Sequence, residues 1–521
     1  MEGTALNRSS RSEFSGWSNR ILIAALAGIL FLTLYPFQFS LLTRLPPNAS
    51  PFLLRRGGKG GGPLDVFLNV LLFVPVGFGL SEKLRERGKS RVRTLLIALI
   101  AGACFSYLIE FTQLYIPPRD SGWEDVLTNS SGSVVGFAIF ELCSRRILRF
   151  LSQAEALIQG CCSVRGTALM LVVYFGAWFA VSVPLQKKTA LSNWTPDSVL
   201  SVGSNAPEHP VRTWKGQVSR LQLWDRALPA GLARKLTSGE PQESVRLGLR
   251  GDFELLGPGP FRDRADSLPD LAFAPKFISR PSGDAVVLNG GSWLTSEGAV
   301  RELVADLRAT RQFAVRVICT PSGVNDKGRI VSISDPSGRV NLYIHQENRS
   351  IVFWFRNPLS VRRAILAWNV PDVFVANQIS DVLYSYDGSS LSLYINGREY
   401  PPMYRLGPAT GLARLLRPAK TNELEGYNYI FYALVFFPGG CLLGLAARRE
   451  DLKRAAGRIM LTLGLVLPPC VFEFVLAHVS GRALSAANAI LSLLLIVAGS
   501  VWVNADRKLA GSEVDLSLPS Q

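Results

Sequence analysis

Eight apolar segments, each close to the length needed to cross a bilayer, dominate this sequence. A membrane-spanning helix needs ~20 predominantly apolar residues. The segments lie at residues 21–42, 64–81, 94–116, 125–143, 166–185, 428–446, 459–478 and 484–503. The first segment is longer than a signal-peptide core and lacks a small-x-small cleavage site, so we expect it to be retained. The pattern predicts an α-helical polytopic membrane protein with about eight transmembrane helices.

The basic residues of the short loops are concentrated on alternate loops. About twenty lie on the loops that would share one side of the membrane with both termini, and six lie on the opposite short loops. By the positive-inside rule, this asymmetry predicts a cytoplasmic (inner) membrane protein with cytoplasmic N and C termini. The net charge of +16 is therefore explained by the basic loops that set the topology. No nucleic-acid partner is expected.

A region of soluble composition separates the fifth and sixth apolar segments. It contains short runs of alternating apolar and polar residues, separated by Asp-Gly, Asn-Gly and Pro-Ser-Gly turns, which is typical of an all-β sandwich. We therefore expect a five-helix membrane domain at 1–185, an extracytoplasmic sandwich at 186–425 and a three-helix membrane domain at 426–521.

Polar residues recur at helical spacing in the second, third and fourth apolar segments. Each segment carries a carboxylate and a carboxamide on one face. These pairs are Asp65 with Asn69, Glu110 with Gln113, and Asp125 with Asn129. Arg119 lies in the loop between the last two segments, where a guanidinium can form forked hydrogen bonds with carboxylates. Ionisable groups are costly at membrane depth, so the seven residues form a candidate polar site near the outer leaflet.

Residues 20–145 contain an Asp-x-x-x-Asn and Phe-x-Pro-x-Gly segment, then Glu-x-x-Gln, an Arg, and Asp-x-x-x-Asn-x-x-Gly-x-x-x-Gly. This series of motifs resembles that of the VanZ-like family of bacterial membrane proteins. The matching positions are Asp65, Asn69, Phe73, Pro75, Gly77, Glu110, Gln113, Arg119, Asp125, Asn129, Gly132 and Gly136. A member of that family is associated with resistance to lipid-bearing glycopeptides. The resemblance therefore implies a cell-envelope context and a link to antibiotic resistance, without specifying a reaction.

The last apolar block repeats part of this pattern at a constant offset of 363 residues. The repeated positions are Phe436, Pro438, Gly440, Glu473, Phe474, Arg482 and Gly499. The equivalents of Asn69, Gln113, Asp125 and Asn129 are Tyr432, Leu476, Asn488 and Ser492. We interpret the block as a degenerate second copy that keeps a pair formed by Glu473 and Arg482. The alternative is a chance alignment of apolar helices.

Parts of the soluble region resemble concanavalin A-like or LamG domains, which are jelly rolls. Tyr386-Asp387-Gly388-Ser389 with the following LSLYINGRE resembles the turn and strand of such domains. LSVGSNA with WKGQVSRLQLWDRALPAGLARKL resembles their closing strand and short helix, but precedes the other strands here. A circularly permuted single domain is the preferred interpretation, and a truncated extra copy is the alternative.

The resemblance to lectin-like sandwiches implies a cell-surface glycan or peptidoglycan partner. Residues of the type that binds sugars are Trp293, Tyr343, Trp354, Trp368 and Asp387, although most strand tryptophans belong to a core. Calcium occurs in this superfamily, but Asp326, Asp335 and Asp387 form no recognisable ligand loop, so we expect no metal and no cofactor.

Four functions are compatible with the polar site. The preferred one is a non-enzymatic envelope protein whose outer-leaflet site binds the head group of a membrane lipid or amphiphile. The second is an enzyme that uses Glu110 or Asp125 as general base on a lipid-linked substrate, with Arg119 holding an anionic group. The third is a transporter, and the fourth is a cluster that only locks helices together. The three histidines are scattered, and no catalytic residue is assigned.

Overall fold

The computed structural model describes residues 2–35, 37, 39, 62–116, 121–204, 213–239, 246–274, 285–360, 367–416 and 424–515. The chain divides into two compact units. The first unit consists of Met1–Val173, Phe436–Leu465 and Leu494–Gln521. The second consists of Tyr174–Val435 and Val466–Leu493.

Eight helices within the described ranges are long and apolar enough to cross a membrane. They are α1 (Glu2–Leu34), α2 (Pro63–Glu86), α3 (Arg91–Gln113), α4 (Trp123–Cys161), α5 (Val164–Lys187), α9 (Leu424–Ala446), α10 (Ala455–Ser480) and α11 (Ala486–Asp515). Three shorter helices are α6 (Ala230–Thr237), α7 (Arg301–Thr310) and α8 (Pro408–Leu416). The chain therefore has the helices of a multi-pass membrane protein, as the hydropathy pattern predicts.

Helix α4 is longer than its apolar segment. Hydropathy predicts an end near residue 143, but the helix continues to Cys161 over a total of 39 residues. The added part, SRRILRFLSQAEALIQG, contains no proline, and its one glycine comes at the end. Helix propagation therefore continues past the point where the composition becomes basic and polar.

Helices α2 and α4 approach each other through glycines. A Cβ added at Gly77 would collide with the backbone of Ser133, and one added at Gly136 would collide with the backbone of Val74. Small residues allow membrane helices to pack at backbone distance, where van der Waals contact holds them together.

Two similar glycine contacts occur in the last membrane segment, at positions 363 residues further along the chain. A Cβ at Gly440 would collide with the backbone of Ile496, and one at Gly499 would collide with the backbone of Phe437. Ile496 and Phe437 lie 363 residues after Ser133 and Val74, which is the same offset that separates the two pairs of glycines. Helix α11 also begins at Ala486, which is the position equivalent to Trp123, the first residue of α4.

A buried cluster of charges connects three helices of the first unit. The carboxylate of Glu155 in α4 accepts hydrogen bonds from Arg20 in α1 and from Arg448 just after α9, the first at 3.2 Å. Arg448 also donates to the side chain of Asn504 in α11 at 3.0 Å. A carboxylate shared by two guanidinium groups satisfies buried charges that would each be costly alone.

The second unit contains a sandwich of two antiparallel sheets. The described strands are β1 (Val199–Val202), β2 (Lys215–Trp224), β3 (Leu249–Glu254), β4 (Leu271–Phe273), β5 (Val286–Asn289), β6 (Leu294–Ser296), β7 (Phe313–Pro321), β8 (Lys327–Ser334), β9 (Val340–Glu347), β10 (Ser350–Phe355), β11 (Trp368–Val370), β12 (Ser380–Tyr386), β13 (Ser390–Ile395) and β14 (Arg398–Arg405). One sheet has the order β11-β10-β9-β8-β1-β6-β4, and the other has β14-β13-β12-β7-β2-β3 with β5 beside β2.

The faces of the two sheets share one apolar core. Alternate strand residues point inward, so that Phe353 of β10 stacks on Tyr384 of β12 with ring centroids 4.1 Å apart. Strands β1 and β2 come first in the chain but lie inside the sheets, since β1 pairs with β8 and β6, and β2 pairs with β7. Strands β1 and β2 therefore belong to the same two sheets as the later strands.

Candidate functional site

The polar side chains of α2, α3 and α4 meet where these helices begin or end. Nδ2 of Asn69 in α2 donates to Oδ1 of Asp125 in α4 at 2.6 Å. Both side chains are half-buried, and Asp125 lies in the first turn of its helix. The structure therefore brings together two residues that are far apart in the sequence.

Glu110 holds the start of α4. Its side chain is only 3% exposed, and Oε2 accepts a hydrogen bond from the backbone amide of Gly122 at 3.0 Å. Gly122 is the residue that precedes α4, where backbone amides have no partner within the helix. A carboxylate at this position satisfies such a donor and interacts favourably with the helix dipole. Arg119, the predicted partner of these carboxylates, lies outside the described residues.

Asn129 continues the cluster one turn further along α4. Its Nδ2 donates to Oγ of Ser106 in α3 at 2.9 Å. Its Oδ1 is buried and has no hydrogen-bond partner among the described residues, and the same holds for Oγ of Ser133, one turn further on. Asn129 thus links α3 to α4 and leaves an acceptor available inside the bundle.

Two of the predicted site residues form hydrogen bonds outside the set of seven. Nε2 of Gln113 donates to the backbone carbonyl of Thr33 at 2.9 Å, which ties α3 to α1 and turns the carboxamide away from the carboxylates. Oδ2 of Asp65 accepts from the amide of Gly62 at 3.1 Å and caps its own helix, α2. The sequence spacing predicts a shared stripe but cannot assign the neighbour to which each side chain bonds.

A second polar cluster, in the region interpreted from the sequence as a degenerate copy, contains some of the same bonds. Glu473 and Arg482 form a forked ion pair in which Nη2 lies 2.8 Å from Oε2, and their side chains are 5% and 8% exposed. Glu473 also accepts from the amide of Ser485 at 2.6 Å, which is the position equivalent to Gly122. Burial alone would lower the pKa of Arg482, but the hydrogen-bonded charge of Glu473 raises it above its usual value.

A cavity of about 510 Å³ lies beside this second cluster. The lining includes Asn428, Tyr432, Leu476, Arg482 and Asn488. At the offset between the two copies, these positions correspond to Asp65, Asn69, Gln113, Arg119 and Asp125. The lining residues Asn428, Tyr432 and Asn488 are absent from the set of candidate residues chosen from the sequence. Tyr432 and Asn488 are the offset equivalents of Asn69 and Asp125, and the same offset applied to Asp65 gives Asn428.

The predicted glycan contacts of the sandwich are engaged in packing. Trp293, Trp354 and Trp368 are at most 5% exposed, so none presents a free indole face. Tyr343 stacks on Trp354, with the guanidinium of Arg329 over the phenol ring at 4.6 Å. These rings are buried because large aromatic side chains stabilise the fold by removing apolar surface from water.

The side chain of Asp387 stabilises a strand turn. Its Oδ1 accepts hydrogen bonds from the backbone amides of Ser389 and Ser390, at 2.8 and 2.6 Å, and so holds the turn between β12 and β13. Within the described part of the chain, no group of three or more His, Cys, Asp or Glu side chains is arranged to hold a metal ion.

The eight apolar helices and the polar cluster define a class, that of a multi-pass membrane protein with an inserted β-sandwich. Residues 7–144 match the family model described as VanZ/LLP1, so this part of the chain is similar to that family. The match contains α2, α3 and the first half of α4, and therefore the whole first polar cluster. Comparison with curated proteins and with solved structures gives no significant match.

Proposed function

We propose that the chain is a bacterial envelope protein whose first polar cluster binds the head group of a membrane lipid or amphiphile. The observation that carries the proposal is the bond between Asn69 and Asp125. Through this bond, Asn69 in the first turns of α2 holds the carboxylate of Asp125 in the first turn of α4. Both positions lie near the ends of candidate membrane spans. Lipid head groups lie at the ends of spans, whereas transported substrates bind near the midplane.

The charge of the cluster supports one class of head group. Asp65, Glu110 and Asp125 contribute three carboxylates, and Arg119 is the cation nearest to Glu110 and Asp125 in the sequence. Ionised carboxylates only accept hydrogen bonds, so they favour a ligand that presents ammonium or hydroxyl donors. With the termini in the cytoplasm, the cluster faces the outer leaflet, where envelope-active amphiphiles arrive. Reduced sensitivity to lipid-bearing glycopeptides is the expected consequence in cells.

The proposal concerns the membrane cluster and does not include the three tryptophans of the sandwich, because these side chains are buried. A concanavalin A-like jelly roll with a surface glycan partner remains a separate proposal for residues 186–425. Binding of the full-length protein to a glycan array would support it, and silence on the array would favour a spacing or covering role.

The test of the membrane cluster compares two isosteric variants of neighbouring residues. Asp125→Asn keeps an oxygen that can accept from Asn69 but removes the charge. Glu124→Gln removes the same charge from an exposed side chain one residue earlier. Each variant is produced at equal membrane abundance in a sensitive host, and the minimum inhibitory concentration of a lipoglycopeptide is measured.

We expect the wild type and Glu124→Gln to raise the inhibitory concentration and Asp125→Asn to lose most of this effect. A direct titration of the purified chain with an aminated lipid in mixed micelles should show the same order of affinities. If Asp125→Asn protects cells and binds the lipid as well as the wild type does, the head-group function is wrong.

A further inference from the structure

The 510 Å³ cavity in the second unit has the size of a small-molecule site, for which roughly 300–1,000 Å³ is typical. It lies at the first turns of α9 and α11 and the last turn of α10, and these are the ends of three membrane spans. Strands β12 and β13 with the turn between them, the segment before α6, and β14 with the segment that follows it also contribute to the wall. The cavity is therefore open to ligands of the membrane surface.

The wall formed by the sandwich is held in place. Gly388, with φ of +95°, packs so closely on the backbone of Ser480 that a Cβ would collide with it. Nε2 of Gln312 donates to the carbonyl of Gly481 at 2.5 Å, and Arg311 donates to the carbonyl of Val479. These contacts attach the β12–β13 turn and the segment before β7 to the end of α10.

The charged residues of the cavity lining are equal in number and opposite in sign: Asp387 and Glu399 are acidic, and Arg405 and Arg482 are basic. The guanidinium of Arg482 is paired with Glu473, and Glu399 is paired with Arg234 at 3.1 Å. Compared with the first cluster, both aspartates have been replaced by carboxamides, since Asn428 and Asn488 occupy the positions equivalent to Asp65 and Asp125. The cavity consequently does not select for a charged ligand in the way that a cluster of three carboxylates does.

The remaining lining groups are aromatic rings, hydroxyls and amides. Tyr394, Tyr429 and Tyr432 provide phenol rings, and Asn428 and Asn488 provide both donors and acceptors. Leu476 of α10, Leu484 of the following loop and Leu491 of α11 add apolar surface. A ligand that suits this wall is uncharged and rich in hydroxyl groups, and has apolar ring faces and a tether toward the bilayer.

We infer that this cavity is a second binding site and that it takes a neutral glycosyl group, one or two sugar rings in size. The inference is independent of the function proposed for the first cluster. The first cluster would bind cationic head groups that are rich in hydrogen-bond donors. The second cavity would bind uncharged glycosyl head groups.

The test uses two neighbouring exposed alanines in the first turn of α11. Ala487 lines the cavity, and Ala486 does not belong to the lining. Ala487→Trp should fill the cavity, whereas Ala486→Trp adds the same bulk outside it. The full chain in mixed micelles is titrated with tritiated diglucosyl diacylglycerol and, in parallel, with tritiated phosphatidylglycerol.

We expect the wild type and Ala486→Trp to bind the glycolipid better than phosphatidylglycerol, and Ala487→Trp to bind the glycolipid about tenfold more weakly. Asn428→Asp, which restores the charge found in the first copy with almost no change in shape, should also weaken glycolipid binding. Displacement of the glycolipid by excess maltose would identify the free saccharide as a sufficient ligand, and a lack of displacement would identify the lipid-linked form.

Equal glycolipid binding by the wild type and Ala487→Trp would overturn the inference. A preference for phosphatidylglycerol that is lost in Ala487→Trp would also overturn it, because the cavity would then hold an anionic head group. Asp125→Asn should leave glycolipid binding unchanged, so the first cluster and the second cavity can fail independently.

Discussion

Glu110 accepts a hydrogen bond from the amide of Gly122, and Glu473 in the second copy accepts one from the amide of Ser485 at the equivalent position. In each case the carboxylate of one helix satisfies the first free donor of the next. Together with the repeated glycine contacts, this correspondence supports our proposal that the two membrane segments arose by duplication.

The close approach of α2 and α4 predicts a strong effect of a single methyl group. Gly77→Ala would place a Cβ against the backbone of Ser133, and overpacking of this kind costs about 1–3 kcal/mol. Gly28→Ala in α1 is the control, because a Cβ there meets nothing within 4 Å. Thermal unfolding in detergent should show a lower midpoint for Gly77→Ala and an unchanged or higher one for Gly28→Ala. Equal midpoints would show that the helices do not pack at backbone distance.

The buried pair of Glu473 and Arg482 predicts non-additive losses of stability. Arg482→Met would leave a buried carboxylate without its cation, which costs about 3–5 kcal/mol. Adding Glu473→Gln removes that charge but keeps an acceptor for the amide of Ser485, so the double variant should recover part of the loss. A double-mutant cycle on unfolding free energies measures the coupling. Additive losses would mean that the two side chains act independently.

Cys319 in β7 is predicted to be chemically inert in the folded protein. It is 1% exposed, and burial raises the pKa of its thiol to about 12. The thiol form is the one stabilised by folding, so this contribution is complete below the unfolded pKa near 9 and is lost as the pH rises toward 12. Peptide mapping after alkylation at pH 8 should find Cys319 modified only in denatured protein, with the exposed Cys161 as the labelled control. Native labelling of Cys319 would contradict the buried position.

The charge asymmetry of the loops predicts the orientation of the chain. Reporter fusions after residues 90 and 515 should report the cytoplasm, and a fusion after residue 300 should report the extracytoplasmic side. Alkaline phosphatase and a fluorescent protein, which are active on opposite sides, serve as paired reporters. A cytoplasmic signal at residue 300 would reverse the orientation and move both polar clusters to the inner leaflet.

The sequence by itself determines the eight spans, the β character of the middle region and the spacing of Asp65, Asn69, Glu110 and Asp125, because hydropathy and helical period are local properties. It also contains the constant offset between the two copies. Local patterns do not determine which distant segments share a contact.

Only the tertiary structure shows that Asn69 bonds to Asp125, that Gln113 turns toward α1 and that the tryptophans of the sandwich are buried. Each of these outcomes depends on the space left by segments far away in the chain. The same is true of the cavity lined by Tyr432 and Asn488, which exists because the turn after β12 packs on the end of α10.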